Sequence, residues 1–308
     1  MISVVFIGTS SFALPALEAL NNDPRFRILA VITQPAKPAG RKHKITTSPV
    51  EEKAKKLNLK VWTPEKIDDC AIDLASLSPD CLVVASYGQI IPKNILDIPH
   101  SGAFNIHPSL LPKYRGPSPA PATLLNGETE AGVSIMLMDE EMDHGPILAQ
   151  KKIKINETIT APELLNILAA EGAKILNDVI IKFNQVEIKP IPQNHKQATF
   201  SKLLKREDGR IDFNKPTTQI FNQYRGLAPW PGIFAMKDNQ PIKFIKMIKG
   251  ENKNNLIPGA LFSENEKLFL KTKDGALQIL ELQPGGSKSM SAEQFINGYS
   301  KKLPLELS

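Results

Sequence analysis

Short apolar runs and amphipathic helix patterns alternate along the first two-thirds of the chain. The stretch Ser48–Glu51 begins a helix with a capping serine, a first-turn proline and a glutamate three residues after the cap. Thr160 and Glu163 form a second capping box ahead of a long amphipathic stripe. Such alternation is typical of a mainly parallel α/β sheet. We expect a Rossmann-like sheet with strands at VVFIG (4–8), RILAVITQ (27–34), CLVVAS (81–86), GAFNI (102–106) and GVSIMLM (132–138).

The pattern changes after residue 184. Residues 185–205 are polar, contain prolines and lack a clear period, so we interpret them as a linker. Beyond them, short alternating runs are broken by Gly, Pro and Asn, and one helix is predicted around Thr217–Arg225. The sequence therefore predicts an α/β domain at 1–184 and a small β domain, a barrel, at 206–308.

Composition and charge narrow the class of protein. The chain has 308 residues, of which 42% are hydrophobic and 23% charged, as in globular proteins of about two domains. It has no uncharged apolar run of about 18 residues and no basic leader before the first strand, so we expect a cytoplasmic protein without a membrane span. Cys70 and Cys81 lack C-x-x-C spacing, and we expect no disulfide. The net charge of +6 lies wholly in residues 201–308, which is typical of a solvated basic surface or a polyanion-binding one.

Three polar side chains are candidates for catalysis. Asn105 and His107 stand at the end of the strand 102–106, and Asp143 follows the next core strand, so we expect them at one edge of the sheet. An amide donor and a histidine can hold the oxygen of a tetrahedral intermediate, while a carboxylate can orient the histidine. The chain has no G-x-S-x-G nucleophile elbow. The pattern favours direct acyl transfer to an amine, without a covalent enzyme intermediate.

The same residues have simpler interpretations. Asn105 and His107 are also typical hydrogen-bonding residues at strand ends, and the Asp143 segment is also typical of a turn. A metal site of His107, Asp143 and His144 is disfavoured, because no H-E-x-x-H motif or cysteine cluster accompanies it. The GTSSFA segment after the first strand lacks G-x-G-x-x-G, which disfavours a nicotinamide enzyme.

Two motifs, NIHPSLLPKYRGPSP (105–119) and MDEEMDHGPIL (138–148), resemble the signature pair of the 10-formyltetrahydrofolate-dependent formyltransferase family. Further segments resemble the branch of that family that formylates methionyl-tRNA, and the matches extend from residue 4 to about 297. They include FIGTSSFALPALEAL, TQPAKPAGRKHKITTSPV, VVASYGQIIPKNIL, EDGRIDF, APWPG and MSAEQF. The resemblance implies a catalytic domain at 1–184 and an OB-like tRNA-binding domain at 206–308. It also implies 10-formyltetrahydrofolate as co-substrate, initiator methionyl-tRNA as acceptor in translation initiation, no metal, and a monomer.

The resemblance also implies roles for the candidate catalytic residues. Asn105 and His107 would bind the developing oxyanion. Asp143 would position His107 and help to remove the proton from the methionyl amine. Whether His107 or Asp143 finally takes that proton stays open. The folate-binding positions of the family fall on Gly88, Ile90, Ser109, Leu110, Leu111 and Pro112.

A basic loop follows the second strand, at residues 35–46. By composition it is typical of an exposed, flexible basic loop. The resemblance implies instead a wedge that enters the acceptor stem of the tRNA, with Arg41 as its key arginine. The tRNA-binding residues would be Lys37, Arg41, Lys42 and Lys44, and the basic C-terminal domain would contact the phosphate backbone.

Two residues beside Asp143 depart from the family pattern. Glu141 stands where the family usually has glycine, and His144 stands where it usually has threonine, so the turn or the charge of Asp143 could differ. Two other functions stay open. One is a sugar-nucleotide N-formyltransferase, which the basic loop and the C-terminal charge disfavour. The other is a catalytically silent RNA-binding protein, which the intact trio of catalytic candidates disfavours.

Overall fold

The computed structural model describes residues 1–39, 44–251, 255–299 and 302–308. The chain forms two compact units. The N-terminal unit comprises residues 1–119, 130–154 and 165–202, and the C-terminal unit comprises residues 120–129, 155–164 and 203–308. Within the described ranges, no helix is long and apolar enough to cross a membrane.

A seven-stranded sheet forms the centre of the N-terminal unit. The strands of this unit are β1 (Ile2–Gly8), β2 (Phe26–Ile32), β3 (Lys37–Ala39), β4 (Lys44–Thr46), β5 (Val61–Trp62), β6 (Cys81–Ala85), β7 (Ala103–His107), β8 (Glu130–Leu137) and β9 (Ile147–Lys154). The order in the sheet is β5-β2-β1-β6-β7-β8-β9, while β3 and β4 form a separate hairpin. The first five strands in this order, from β5 through β2, β1 and β6 to β7, run parallel. Strands β8 and β9 are each antiparallel to the strand before them. The predicted mainly parallel, Rossmann-like sheet is confirmed.

Eight α-helices lie in the described residues. The Ser48 hydroxyl accepts a hydrogen bond from the Glu51 amide at 2.9 Å, and the Glu163 carboxylate accepts one from the Thr160 amide at 2.8 Å. Both predicted helix starts are therefore confirmed. The helices are α1 (Leu14–Asn22), α2 (Pro49–Lys56), α3 (Ala71–Leu77), α4 (Lys93–Leu96), α5 (Pro119–Leu125), α6 (Ala161–Asn184), α7 (Thr217–Leu227) and α8 (Ala292–Tyr299).

One face of the N-terminal sheet packs its apolar side chains against α3 and α4. Ile7 and Leu82 from the strands and Leu74 and Ile95 from the helices are all fully buried in this core. Cys81 is fully buried in β6 and is a free thiol, as is the buried Cys70. Burial raises the pKa of Cys81 to about 12, so this side chain acts as a small apolar core residue.

The C-terminal unit contains an antiparallel sheet. Its strands are β10 (Ile233–Lys237), β11 (Gln240–Gly250), β12 (Ala260–Glu264), β13 (Lys267–Lys271), β14 (Ala276–Pro284), β15 (Met290–Ser291) and β16 (Leu305–Glu306). They are ordered β10-β11-β14-β13-β12-β16, and β15 pairs with β14. Met236 of β10 and Ser308 exchange two backbone hydrogen bonds, so the chain after β16 returns to the first strand. This closure is consistent with the predicted small barrel, and α7 confirms the predicted helix.

Residues 185–202, which the sequence analysis interprets as part of a linker, pack within the N-terminal unit. Ile191 exchanges two backbone hydrogen bonds with Ile147. Arg115 donates its backbone N–H to Thr199, and its carbonyl accepts from the N–H of Ser201. The segment lacks periodicity because its backbone polar groups bond to the first residue of β9 and to the loop around Arg115 rather than within a long helix or strand of its own. The domain boundaries at 1–184, 185–205 and 206–308 stay predictions.

Candidate active site

Strand β7 carries the first two catalytic candidates. Asn105 and His107 are two residues apart, so both side chains leave the strand on the same face of the sheet. Asn105 lies between Val84 of β6 and Met136 of β8, and His107 lies opposite Ser134 of β8. Because β7 is paired on both sides, the sheet fixes the spacing of the amide and the imidazole.

Asp143 also lies beside Asn105 and His107, but its loop starts from the opposite end of β7 to the one expected. Because β8 is antiparallel to β7, the loop after β8 begins at the amino-terminal end of β7, where the Met138 N–H donates to the Ala103 carbonyl at 2.8 Å. The expectation that both loops leave one edge of a parallel sheet is therefore wrong. The loop nevertheless folds back, and one carboxylate oxygen of Asp143 lies 3.3 Å from His107 Nδ1 and 3.3 Å from Asn105 Nδ2. The structure thus brings the three predicted residues together.

Both ring nitrogens of His107 face oxygen atoms. Nδ1 faces the Asp143 carboxylate, and Nε2 lies 3.0 Å from the backbone carbonyl oxygen of Tyr114. The Tyr114 carbonyl and the ionised Asp143 carboxylate both only accept hydrogen bonds, so a neutral ring can donate to one of these oxygens and not to both. Only a ring with a proton on each nitrogen donates to both oxygens. The ring therefore lies between two acceptor groups, the Asp143 carboxylate and the Tyr114 carbonyl.

Asp143 is a largely buried carboxylate. Burial acts to raise its pKa, but the hydrogen bond and the charge of His107 act in the opposite direction. The backbone N–H of Gly116 donates to Oδ2 at 2.7 Å. This bond and the charge of Arg115 also lower the pKa of Asp143. Together these groups outweigh burial and lower the pKa below its ordinary value. The site therefore holds a negative charge at neutral pH.

The loop at Ser109–Pro112, where the folate is expected, is fixed to the neighbouring strands. The Ser134 hydroxyl donates to the Ser109 carbonyl at 2.6 Å and accepts from the Leu111 N–H at 3.2 Å. Gln150 of β9 donates to the Leu111 carbonyl at 2.9 Å. Ser109 and Leu111 are buried, whereas Leu110 and Pro112 are partly exposed. The buried pair holds the loop, and the partly exposed pair lies at its surface.

Gly88 and Ile90 follow β6, the parallel neighbour of β7. Their loop therefore lies at the same sheet edge as the loop at Ser109–Pro112. Gly88 has a φ of +83°, and a Cβ atom there would lie 2.7 Å from Gln34 Nε2. Ile90 is 77% exposed, so its apolar surface is accessible to a ligand at this edge.

The two residues that depart from the family pattern both contact Asp139. Its carboxylate accepts from the Glu141 N–H at 3.1 Å and lies 2.6 Å from His144 Nδ1. The left-handed conformation in this loop is taken by Asp143, with a φ of 53°. His144 is thus directed at Asp139 rather than at Asp143. Among the described residues, no three His, Cys, Asp or Glu side chains group closely enough to hold a metal ion.

Arg115 and Gln193 belong to the site although the sequence did not single them out. Arg115 is 4% exposed, and its guanidinium donates to Gln193 Oε1 and lies 2.9 Å from His195 Nδ1. Gln193 is 5% exposed and contacts the Asp143 loop. Arg115 lies within the first motif, so its place in the sequence could have indicated that it belongs to the site. Gln193 lies in a polar, aperiodic stretch, where a glutamine is expected at the surface.

The basic loop forms the β3–β4 hairpin. Lys37 begins β3, and its ammonium group donates to Gln34 Oε1 at 2.6 Å. Lys44 begins β4 and pairs with Ala39 across the hairpin. Arg41 and Lys42 lie outside the described residues. The tRNA-binding role of these four residues stays a prediction.

Sequence comparisons place the whole chain in one family. A formyl transferase profile matches residues 1–180, and a formyl transferase C-terminal domain profile matches residues 203–300. Methionyl-tRNA formyltransferases of a Hydrogenobaculum species and of Roseiflexus castenholzii are 43% and 41% identical to the chain. These matches cover 97% and 96% of this chain and 98% and 95% of theirs. The chain therefore belongs to the formyl transferases and, within them, to the methionyl-tRNA formyltransferase family, which confirms the resemblance and makes the protein an enzyme of formyl transfer.

Solved structures share the fold at lower identity. An N-formyltransferase from Helicobacter canadensis in complex with folinic acid and dTDP-3-aminofucose superposes with a TM-score of 0.68 at 21% identity, covering 94% of this chain and 100% of that one. HypX from Aquifex aeolicus in complex with tetrahydrofolic acid has a TM-score of 0.65 at 16% identity, covering 99% of this chain and 48% of that one. The predicted fold class is confirmed.

Proposed function

We propose that the protein transfers the formyl group of 10-formyltetrahydrofolate to the α-amino group of initiator methionyl-tRNA. The observation that carries the proposal is the contact of the Asp143 carboxylate with both His107 and Asn105. The name shared by the full-length relatives supports methionyl-tRNA as the acceptor. The folates held by solved proteins of this fold support a reduced folate as the donor.

The chemistry forms a bond between the methionyl nitrogen and the formyl carbon and breaks the bond from that carbon to N10 of the folate. An α-ammonium group has a pKa of about 8, so it loses its proton at small cost near neutral pH. Asn105 donates to the formyl oxygen as it becomes an oxyanion, and His107 donates to it through Nε2, which exchanges the Tyr114 carbonyl for the formyl oxygen. The His107–Asp143 pair takes the proton released by the amine, and N10 leaves with a proton. We assign the transferred proton to the pair, because the two side chains contact each other.

Binding surfaces follow from the same proposal. The folate occupies the sheet edge formed by Gly88, Ile90 and the loop at Ser109–Pro112. The tRNA contacts the basic hairpin at Lys37, Arg41, Lys42 and Lys44, and its phosphates contact the basic C-terminal region, for which an OB-like fold is proposed. We further propose that the protein acts as a monomer in the cytoplasm, where initiator methionyl-tRNA is used in translation initiation.

One assay tests the function. The protein is incubated with 10-formyltetrahydrofolate and either methionyl-tRNA or an amino-sugar nucleotide, and the formylated amine is identified by mass spectrometry. We expect formyl-methionyl-tRNA and no formylated sugar. Formylation of the sugar alone would overturn the proposal in favour of a sugar-nucleotide enzyme. Formylation of neither would favour an RNA-binding protein without catalysis.

A further inference from the structure

The Asp143 turn has an unusual backbone conformation. Asp143 has a φ of 53°, in the left-handed region that residues other than glycine rarely adopt. Two positions later, a Cβ atom on Gly145 would collide with the carbonyl oxygen of Leu137, so the turn passes close to the end of β8. Such a conformation persists only where the surrounding structure holds it. The groups that hold this turn therefore decide where the Asp143 carboxylate lies.

The Gln193 side chain contacts this turn directly. Its Nε2 donates to the backbone carbonyls of Asp143 at 2.9 Å and of Gly145 at 2.7 Å. Its Oε1 accepts from Arg115 Nε at 3.1 Å and Nη2 at 2.7 Å. Every hydrogen-bonding position of the buried carboxamide is thus used, with two donated and two accepted bonds.

The orientation of this carboxamide is fixed by chemistry. A flipped amide would place its oxygen against two carbonyl oxygens and its NH₂ group against a guanidinium, which only donates. A glutamate would keep the bonds from Arg115 but would place an anionic oxygen against the two carbonyls. A methionine has a similar length and would leave both carbonyls and the guanidinium without these partners. Only a carboxamide of this length both donates to the two carbonyls and accepts from the Arg115 guanidinium.

Arg115 links Gln193 to the other side of the Asp143 carboxylate. The residue after Arg115, Gly116, donates its backbone N–H to Asp143 Oδ2 at 2.7 Å. The carboxamide thus holds the Asp143 backbone on one side and the Arg115 side chain on the other. His107 and Arg115 are the charged or titratable groups that act on Asp143. All these contacts lie within the N-terminal unit.

We propose that Gln193 is a positioning residue for formyl transfer, whose carboxamide holds the Asp143 turn so that the carboxylate meets His107 and Asn105. The inference rests on the proposed function. Within residues 185–202, it gives Gln193 a part in the active site.

Gln193→Glu is the decisive variant, because it keeps the contact with Arg115 and replaces the two donated bonds with repulsion between an anionic oxygen and the two carbonyls. We expect kcat to fall about a hundredfold, the loss typical of a catalytic group displaced by about 1 Å. The KM for 10-formyltetrahydrofolate and for methionyl-tRNA should each stay within about threefold, because neither binding surface includes Gln193. Gln193→Met should give a similar kcat. Gln197→Glu, at an exposed glutamine of the same segment, is the matched control and should keep the native kcat.

A second measurement does not depend on activity. The ¹⁵N chemical shifts of the His107 ring report its protonation and its partner at Nδ1, and they should change in Gln193→Glu but not in Gln197→Glu. Native kcat or unchanged shifts in a folded Gln193→Glu protein would overturn the inference. So would a Gln193→Glu protein that fails to fold by circular dichroism, since Gln193 would then serve the fold. If the native protein formylates no methionyl-tRNA, the proposed function fails, while the shifts still test the positioning role.

Discussion

At the scale of single residues, the proposed catalysis depends on Asp143 and on the two side chains that contact it, Asn105 and His107. If Asn105, His107 and Asp143 act on one transition state, as proposed, each alanine variant should lose about a thousandfold or more in kcat/KM. Double variants should lose little more than the worst single variant, because the residues act as a unit. Steady-state kinetics with methionyl-tRNA measures both effects.

The same loop offers a control for these variants. Asp139 pairs with His144 and lies outside the catalytic trio, so Asp139→Asn should keep most of the activity. If the losses in the double variants multiply fully, the three residues work independently. The shared site would then be contradicted.

The charge on Asp143 also predicts how stability depends on pH. Its pKa is lower in the folded protein, so its contribution to stability is present above the unfolded value of about 4 and is lost as the pH falls through the folded value. We expect Asp143→Asn to be less stable than the native protein at about pH 6, with the gap narrowing below about pH 4. Urea unfolding of both proteins across this range tests the prediction. A gap that stays constant down to about pH 3 would show that the carboxylate is not stabilised by its neighbours.

At the scale of elements, β8 determines where the expected folate loop lies. A Cβ atom on Gly132 of β8 would lie 2.6 Å from the Lys151 carbonyl oxygen and collide with the Leu110 side chain. We expect Gly132→Ala to displace that loop, cost about 1–3 kcal/mol of stability and raise the KM for the folate about tenfold, with little change in kcat. Thermal unfolding and steady-state kinetics measure these changes.

Gly298 of α8 provides the matched control. Nothing lies within 4 Å of a Cβ atom built at this position, so Gly298→Ala should leave the KM unchanged and stability equal or slightly higher. A folded Gly132→Ala protein with a native KM for the folate would show that the place of Leu110 does not matter for binding.

At the scale of the whole molecule, the positive charge surplus lies in residues 201–308. If this region contacts tRNA phosphates, the logarithm of the affinity should fall linearly with the logarithm of salt concentration, with a slope of about −0.7 to −0.9 per phosphate. Binding titrations at several salt concentrations measure this slope. It should flatten when three lysines of the C-terminal unit are replaced by glutamine, namely Lys243, Lys246 and Lys267.

The control changes the same number of charges in the N-terminal unit. The slope and the folate affinity should both stay unchanged when glutamine replaces three exposed lysines there, namely Lys66, Lys182 and Lys189. A tRNA affinity that does not respond to salt would contradict a phosphate-binding surface. Equal slopes in the two triple variants would show that the C-terminal charges play no special part.

Local patterns in the sequence were enough to predict much of this molecule. The apolar run at Val4–Gly8 forms a strand because its side chains lose contact with water on both faces of a covered sheet. The helix after Ser48 begins where the serine caps it, a contact between residues three apart. The two motifs at 105–119 and 138–148 indicated the family, which the comparisons confirm, and they contain the three side chains that the structure brings together. Each of these signals depends on residues that are close in the chain.

Only the tertiary structure decided how the site is assembled. The antiparallel direction of β8 depends on pairing with β7, so no local pattern showed from which end of β7 the Asp143 loop departs. The partner of His107 Nε2 is a backbone carbonyl, which every residue carries and no sequence pattern marks. Gln193 meets Asp143 across 50 positions of the chain, from a stretch whose composition is that of a linker. Contacts of this kind form because folding buries polar groups that must then find partners, wherever in the chain those partners lie.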